Sequence, residues 1–333
     1  MKCRHCAADL DRVCLDLGSA PPSNAYLSEA ALRAPEVWYP LRLLVCERCW
    51  LVQTEDHAGR EALFSADYAY FSSFSSSWLA HARAYVEAMR SRFALTPASL
   101  VSEVAANDGY LLRYVRDAGI PCFGVEPTAS TAAAARALGL DIVERFFGVA
   151  LGQELAAAGR AVDLVAANNV LAHVPDINDF VGGFTALLKP DGVATFEFPH
   201  LLRLLEENQF DTVYHEHYSY LSLTAVARVF EKNGLSVFDV EALTTHGGSL
   251  RVFAQRLDTG RRLLRVHAQR PPVRRQLLDV EHRETVGPQD PVGGAQREVR
   301  EVLVIDRVEL ILLEEPKEMR ELERQDAAGR EHE

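Results

Sequence analysis

Leu100-Val-Ser-Glu-Val-Ala-Ala-Asn-Asp-Gly-Tyr-Leu-Leu112, then a short helical pattern, then Pro121-Cys-Phe-Gly-Val-Glu126, is the stretch around which the chain is organised. The run Leu100–Ala105 is short, apolar and partly β-branched, as a buried parallel strand should be. Ala106-Asn107-Asp108-Gly109 breaks it with small and turn-forming residues. From Tyr110 to Ala118 apolar residues return at helical spacing, and Gly119 closes the pattern. A second apolar run, Cys122–Val125, ends on the acidic Glu126. Strand, glycine-containing turn, helix, strand and acid make half of a doubly wound nucleotide-binding unit. In such a unit the first loop offers backbone N–H groups to a ligand, and the acid accepts hydrogen bonds from ribose hydroxyls.

The ligand class follows from what the loop lacks. A nicotinamide or flavin fingerprint would read Gly-x-Gly-x-x-Gly, but only Gly109 is present, with Ala105 and Asn107 where glycines would stand. Glu103, just ahead of the turn, would repel a pyrophosphate. It suits a cationic, amino-acid-bearing ligand, and S-adenosylmethionine combines a sulfonium, an ammonium and a ribose. An ordinary α/β unit with no ligand in this loop stays open on the pattern alone.

At 333 residues the chain has room for two or three domains. Its formal net charge of -12 argues against a nucleic-acid partner. No apolar run approaches a membrane span and no signal-like apolar core opens the chain, so the expectation is a cytoplasmic protein with no membrane partner. Four of its six cysteines pair by spacing, Cys3-x-x-Cys6 and Cys46-x-x-Cys49. Each pair puts two thiolates on one tight turn, and two such turns complete a tetrahedral sulfur site, for which zinc is the expected metal. Two redox pairs are the alternative. Four protein ligands leave no open coordination position, so the expected role is structural.

Three regions are expected: a zinc-binding lobe over 1–62, a methyl-donor-binding α/β domain over 63–256, and a divergent region over 257–333. Turn signals fall at Gly18–Pro22, and a helix is expected from Gly59 to Phe64. The aromatic and hydroxyl-rich segment Asp67–Trp78, with Tyr68, Tyr70, Phe71 and Phe74, reads as either a packed linker or a ligand-facing lid. Its serines can cap a helix from Trp78 to about Phe93. The strand Ala161–Ala166 leads into Asn168-Asn-Val-Leu-Ala-His173, which places Asn168, Asn169 and His173 at a strand's carboxyl end. In open α/β sheets that is the ligand side. Lys189–Gly192 reads as a turn before the strand Val193–Glu197. The ending, through His246-Gly-Gly-Ser249 into a strand at Leu250–Gln255, predicts a reversed edge strand, and the glycine pair permits close approach to a ligand or a neighbouring strand.

Tyr214-His-Glu-His-Tyr-Ser-Tyr220 carries imidazoles, a carboxylate, phenols and a hydroxyl in one short segment, the equipment of general acid–base chemistry. In an extended segment Tyr214, Glu216 and Tyr218 would share one face, and His215 and His217 the other. Glu216 and His217 can therefore serve one substrate only if the backbone turns between them. A hydrogen-bonded structural loop is the alternative.

Together the Cys-x-x-Cys pairs, Glu103–Gly109, Gly124-Val-Glu-Pro127, Asn169–His173, Tyr214–Tyr220 and His246-Gly-Gly-Ser-Leu-Arg-Val252 resemble one family. It comprises the class I methyltransferases with an N-terminal zinc lobe, best known as sugar C-methyltransferases of deoxysugar biosynthesis. The resemblance covers residues 1 to about 256 and implies a Rossmann-like sheet, structural zinc and S-adenosylmethionine as donor. It also implies a nucleotide-linked 4-keto-deoxyhexose as acceptor, methylated at C3 through an enolate. Carried onto this chain, His217 is the base and Glu216 its neighbouring acid. Tyr68 and Tyr214 bind the sugar or enolate, and His173 and Asn169 complete the catalytic pocket. Glu126 holds the ribose; Glu103, Asn107 and Gly109 line the methionine side, with Ala105, Pro127 and Asn168 in the cofactor set. Another small-molecule acceptor, or a member that binds the donor without turnover, stays open. Oligomeric state, monomer or homodimer, is not legible. The resemblance stops near Gln255: Arg256–Glu333 is rich in arginine and glutamate and is expected to be a shortened, divergent C-terminal region.

Overall fold

The computed structural model describes residues 1–23, 27–57 and 71–259. Tyr68, Tyr70, the helix expected from Gly59 to Phe64 and everything beyond residue 259 lie outside the described residues.

The central sheet has seven strands: β4 (Val101–Val104), β5 (Cys122–Val125), β6 (Ile142–Val143), β7 (Val162–Asn168), β8 (Leu188–Pro199), β10 (Leu235–Leu243) and β11 (Ser249–Arg256). Their spatial order is β10-β11-β8-β7-β4-β5-β6. From β4 the chain builds outward through β5 and β6, then returns to lay β7 and β8 on the opposite side, all parallel. The order therefore reverses between β4 and β7, where a doubly wound sheet opens a crevice. This is the Rossmann-like class I methyltransferase sheet expected from the sequence.

Alternation along β7 divides the core. Val165 and Ala167 join Phe184 of α5 (Ile177–Leu187) and Phe230 of α7 (Leu223–Lys232) on one side. Leu164 and Ala166 join Met89 of α1 (Ser76–Arg92) and Leu112 and Val115 of α2 (Leu112–Asp117) on the other. Between the sheet and its helices, Phe184 meets Phe196 at 4.7 Å and Phe196 meets Phe230 at 4.5 Å, centroid to centroid. Side-chain caps start these helices: Ser75 accepts from the Trp78 N–H, Asp176 from Asp179 and Ser222 from Ala225.

Two expectations are corrected. The reversed strand β11 is not at the edge. It lies between β8 and β10, antiparallel to both, and β10 forms the edge. The Lys189–Gly192 segment is no free turn. β8 begins at Leu188, and the irregularity is absorbed as a register shift, with Val162 opposite Leu188 but Leu164 opposite Val193.

The N-terminal lobe carries a second sheet, in which β1 (Val13–Ala20), β2 (Tyr39–Val45) and β3 (Val52–Thr54) pair antiparallel. The turn signal at Gly18 appears as an irregularity inside β1, with Gly18 at φ 75. The fourth strand, β9, is Ser219–Tyr220, contributed by the methyltransferase portion and paired to Val52 and Gln53 of β3. The acid–base segment thus runs directly into the lobe's sheet.

Candidate functional site

The two Cys-x-x-Cys turns are built alike. Ala7 N–H donates to the Cys3 carbonyl at 2.9 Å and Trp50 N–H to the Cys46 carbonyl at 2.8 Å, and Ala7 (φ 58) and Trp50 (φ 65) both take the left-handed conformation that closes the turn. The Sγ atoms of Cys3, Cys6, Cys46 and Cys49 all lie within 4.8 Å of one another. Zinc–sulfur bonds of about 2.3 Å would put tetrahedral sulfurs roughly 3.8 Å apart, so the cluster fits the ion. All four cysteines are free thiols, and Gln53 Nε2 donates to Cys3 Sγ at 3.4 Å, a contact that supports thiolate character. The hydrogen bond to Cys49, together with bonds from Gln53 and the backbone, draws the Cys3 thiol below its ordinary pKa.

A cavity of about 610 Å³ opens at the carboxyl ends of β4, β5, β7 and β8, within the usual range for a small-molecule site. Its floor is the loop after β4. Ala105, Asn107 and Gly109, the positions compared with the glycine fingerprint, all have positive φ, at 60, 48 and 77. Asn107 N–H donates to Glu126 Oε2 and Thr128 N–H to Glu126 Oε1, each at 2.9 Å. The carboxylate is thereby fixed at the tip of β5, facing the cavity. Burial raises the Glu126 pKa, and these donors oppose the shift.

Of the proposed cofactor set, Ala105, Asn107, Glu126, Pro127 and Asn168 line the cavity; Glu103 and Gly109 do not. Gly109 serves packing, since a Cβ there would come within 2.3 Å of Leu140 Cδ1. Glu103 is fully buried, and burial first, then the Glu126 and Asp108 carboxylates, push its pKa well above the ordinary range. The Tyr110 hydroxyl bonds Glu103 and opposes part of the burial shift, and it also bonds Asn168. On the cavity wall, Oδ1 of Asn169 is buried with no hydrogen-bond partner among the described residues. A buried acceptor left unpaired there fits an ammonium- and hydroxyl-bearing ligand, as S-adenosylmethionine is.

The acid–base segment turns where the expected chemistry requires it. His217 N–H donates to the Tyr214 carbonyl at 3.0 Å, a turn over His215 and Glu216. It sends His215 out, its Nε2 3.1 Å from the Pro40 carbonyl, and brings Tyr214, Glu216 and His217 onto the cavity wall with His173. Tyr214 Oη lies 2.8 Å from His217 Nε2. His217 Nδ1 lies 3.1 Å from the Thr212 carbonyl, which fixes the proton on Nδ1 and the lone pair on Nε2. His173 Nδ1 is likewise 3.1 Å from the Glu216 carbonyl, and the two imidazole centroids are 4.6 Å apart. Burial first, then the neighbouring His173, holds His217 well below its ordinary pKa; burial lowers His173 to about 4. Both rings are neutral at pH 7.

The segment before α1 covers the cofactor loop: Ser72 N–H donates to Asn107 Oδ1 at 2.9 Å and Ser73 N–H to Asp108 Oδ2 at 3.1 Å. Among the described residues Phe74 is exposed and stacks on Phe71 at 5.4 Å. Trp78, Tyr110, Phe147 and His246 line the cavity without having been singled out as site residues in the sequence. Phe147 follows β6 on the ligand side of the sheet, a position that could have marked it. Behind His246, Glu197 at the end of β8 accepts from Thr245 at 3.0 Å and pairs with Arg251 at 2.8 Å and His81 at 2.9 Å. The glycine pair serves a neighbouring element: Cβ atoms at Gly247 and Gly248 would strike Gln209 and Arg203.

Comparison with known proteins bears on both halves. Residues 3–64 match the zinc binding domain model of a methyltransferase family, and residues 78–240 match a methyltransferase domain model. C-methyltransferase NovU of Streptomyces niveus is 37% identical over 253 residues, which make up 76% of this chain and 60% of that protein. The chain thus spans under two thirds of that relative's length. Among solved structures, magnesium protoporphyrin IX methyltransferase from Synechocystis PCC 6803 is 17% identical over 54% of this chain and 84% of its own, with a TM-score of 0.42. The PH0226 protein of Pyrococcus horikoshii OT3 is 13% identical over 56% and 94%, with a TM-score of 0.47. Among the described residues no helix is long and apolar enough to cross a membrane. The chain thus combines a zinc-binding domain with a methyltransferase domain of the class I, Rossmann-like fold.

Proposed function

We propose that the protein is a C-methyltransferase that removes the C3 proton of a nucleotide-linked 4-keto-deoxyhexose and methylates the resulting enolate. One observation carries the reading: a neutral imidazole, with its lone pair on Nε2 and a phenol 2.8 Å from it, shares one cavity with the Glu126 carboxylate at the tip of β5. The relative NovU, named as a C-methyltransferase, supports transfer to carbon. A carbon nucleophile is made near neutral pH by taking a proton adjacent to a ketone, and that requires a positioned base.

S-adenosylmethionine, when bound, supplies an electrophilic methyl group. Glu126 holds its ribose hydroxyls; Asn107 and Asn168 accommodate its other polar parts. Toward the acceptor, His217 Nε2 takes the C3 proton and becomes imidazolium, with its Nδ1–H anchored on Thr212. The Tyr214 phenol, bound to Nε2 in the free protein, turns to the ketone oxygen as substrate enters and donates to the enolate as charge develops there. His173, kept neutral beside His217, completes the wall without adding a competing positive charge. Glu216, whose Oε1 accepts from Ser23 at 3.0 Å, faces the sugar and receives its hydroxyls.

The test is proton exchange. A nucleotide-linked 4-keto sugar in deuterated water should exchange its C3 proton even without donor, and His217→Asn should abolish the exchange. Exchange that survives in His217→Asn removes this histidine as base. S-adenosylmethionine should also raise the melting temperature; a nicotinamide that does so in its place overturns the cofactor assignment.

A further inference from the structure

Between the first two zinc ligands sits Arg4, a cation whose side chain is only 4% exposed. Its guanidinium reaches three segments at once. Nε donates to the Tyr218 carbonyl at 3.2 Å, next to His217, and the guanidinium lies over the Tyr218 ring at 4.9 Å. Nη2 donates to the Thr54 carbonyl at 2.7 Å, at the end of β3. Nη1 reaches the Pro175 carbonyl at 3.5 Å, in the loop that carries His173. A two-toothed pair with Asp56, at 2.6 and 2.9 Å, holds the fork in plane. On the backbone side, Arg4 N–H donates at 3.0 Å to Gln53 Oε1, and the amide group of the same Gln53 donates to Cys3 Sγ. Thr54 adds a parallel tie, its Oγ1 donating to the His217 carbonyl at 3.0 Å.

A structural metal site needs none of this for its own coordination. An always-charged planar fork reading three carbonyls fixes the relative placement of the segments that present them. We propose that Arg4 is a positioning residue for deprotonation: through it the zinc turn sets the distance between the His173 loop and the turn that ends at His217. This rests on the function proposed above. Zinc fixes the turn, the turn fixes the guanidinium, and the guanidinium fixes the two imidazoles that meet in the cavity. Misplacing a base by about 1 Å costs on the order of 100-fold in rate, and lost outer-shell partners of metal ligands typically cost 10- to 100-fold.

The experiment uses the full chain with Arg4→Met and Arg4→Lys, the second keeping charge but not the fork. In Arg4→Lys, zinc content and the S-adenosylmethionine dissociation constant should stay within about twofold of wild type. The kcat for methyl transfer should fall roughly 10- to 100-fold with little change in acceptor KM. A second readout needs no turnover: NMR titration of the His217 ring, assigned by its loss in His217→Asn. The ring should titrate well below 6.5 in the wild type and move up toward the ordinary histidine value in both variants. Should Arg4→Met lose its zinc, Arg4→Lys decides. A wild-type rate together with a wild-type His217 titration in Arg4→Lys overturns the proposal, as does loss of zinc from that variant. A wild-type protein inactive on every keto sugar sinks the function and leaves the ring titration to judge Arg4.

Discussion

The backbone N–H of Asn107 donates to Glu126 Oε2 at 2.9 Å, so the tip of β5 is fastened to the loop after β4 by the group expected to hold the cofactor. On the proposed function two tasks fall on one side chain: ordering a loop with left-handed residues, and accepting ribose hydroxyls.

Glu126→Gln should therefore weaken S-adenosylmethionine binding about 10- to 100-fold, the loss expected when hydrogen bonds to a charged acceptor are removed. Isothermal titration calorimetry reads this directly. Affinity within twofold of wild type would exclude the ribose role.

Tyr214→Phe keeps the ring beside His217 and removes the hydroxyl that sits on Nε2. Methyl transfer should drop by about 10- to 1,000-fold, as when an oxyanion donor is lost. C3 proton exchange passes through the same enolate, so it should fall with transfer although the base is kept; exchange left at full rate would show that the phenol does not meet the enolate.

The acid limb of kcat/KM should lie below pH 6.5. Buried and beside His173, His217 has a lowered pKa, so its lone pair is already present at neutrality and is lost only as pH falls through that depressed value. A pH–rate profile with an acid midpoint at or above 6.5 would contradict the assignment.

Cys46→Ser should abolish stoichiometric zinc and destabilise the lobe. With Ser219 and Tyr220 paired to β3, the loss should reach the acid–base segment and remove C3 exchange, while S-adenosylmethionine still binds the separate loops after β4 and β5. Metal analysis, calorimetry and exchange, run on one sample, check all three.

Gly109→Ala should cost about 1–3 kcal/mol or more of stability. A left-handed φ of 77 and a Cβ within 2.3 Å of Leu140 Cδ1 both act against it. Chemical denaturation measures the loss.

What could be read in the sequence was local. Val101–Val125 displayed its strand, turn, helix and strand because each is short, bounded and set by neighbours in sequence. The cysteine turns, and the condition that the backbone turn between Glu216 and His217 for both to serve one substrate, were legible for the same reason: sulfur spacing and side-chain alternation are properties of a few consecutive residues. Tyr110, Trp78 and His246 escaped because only packing across the sheet brings them to the cavity. The place of β11 escaped because strand order is set by pairing between distant segments, and a reversed strand reads alike at an edge or one place in. Glu103 and Gly109 show the converse. Their spacing was informative, yet one is buried behind the wall and the other makes room for Leu140.

The borrowed dipeptide Ser219–Tyr220 has a consequence for anyone cutting the chain in two. Excised alone, the cysteine-bearing segment would bare the rim of Val52–Thr54, and naked strand rims recruit copies of themselves. Such a fragment should self-associate, and adding back the remainder in trans should dissolve the clumps by refilling the groove.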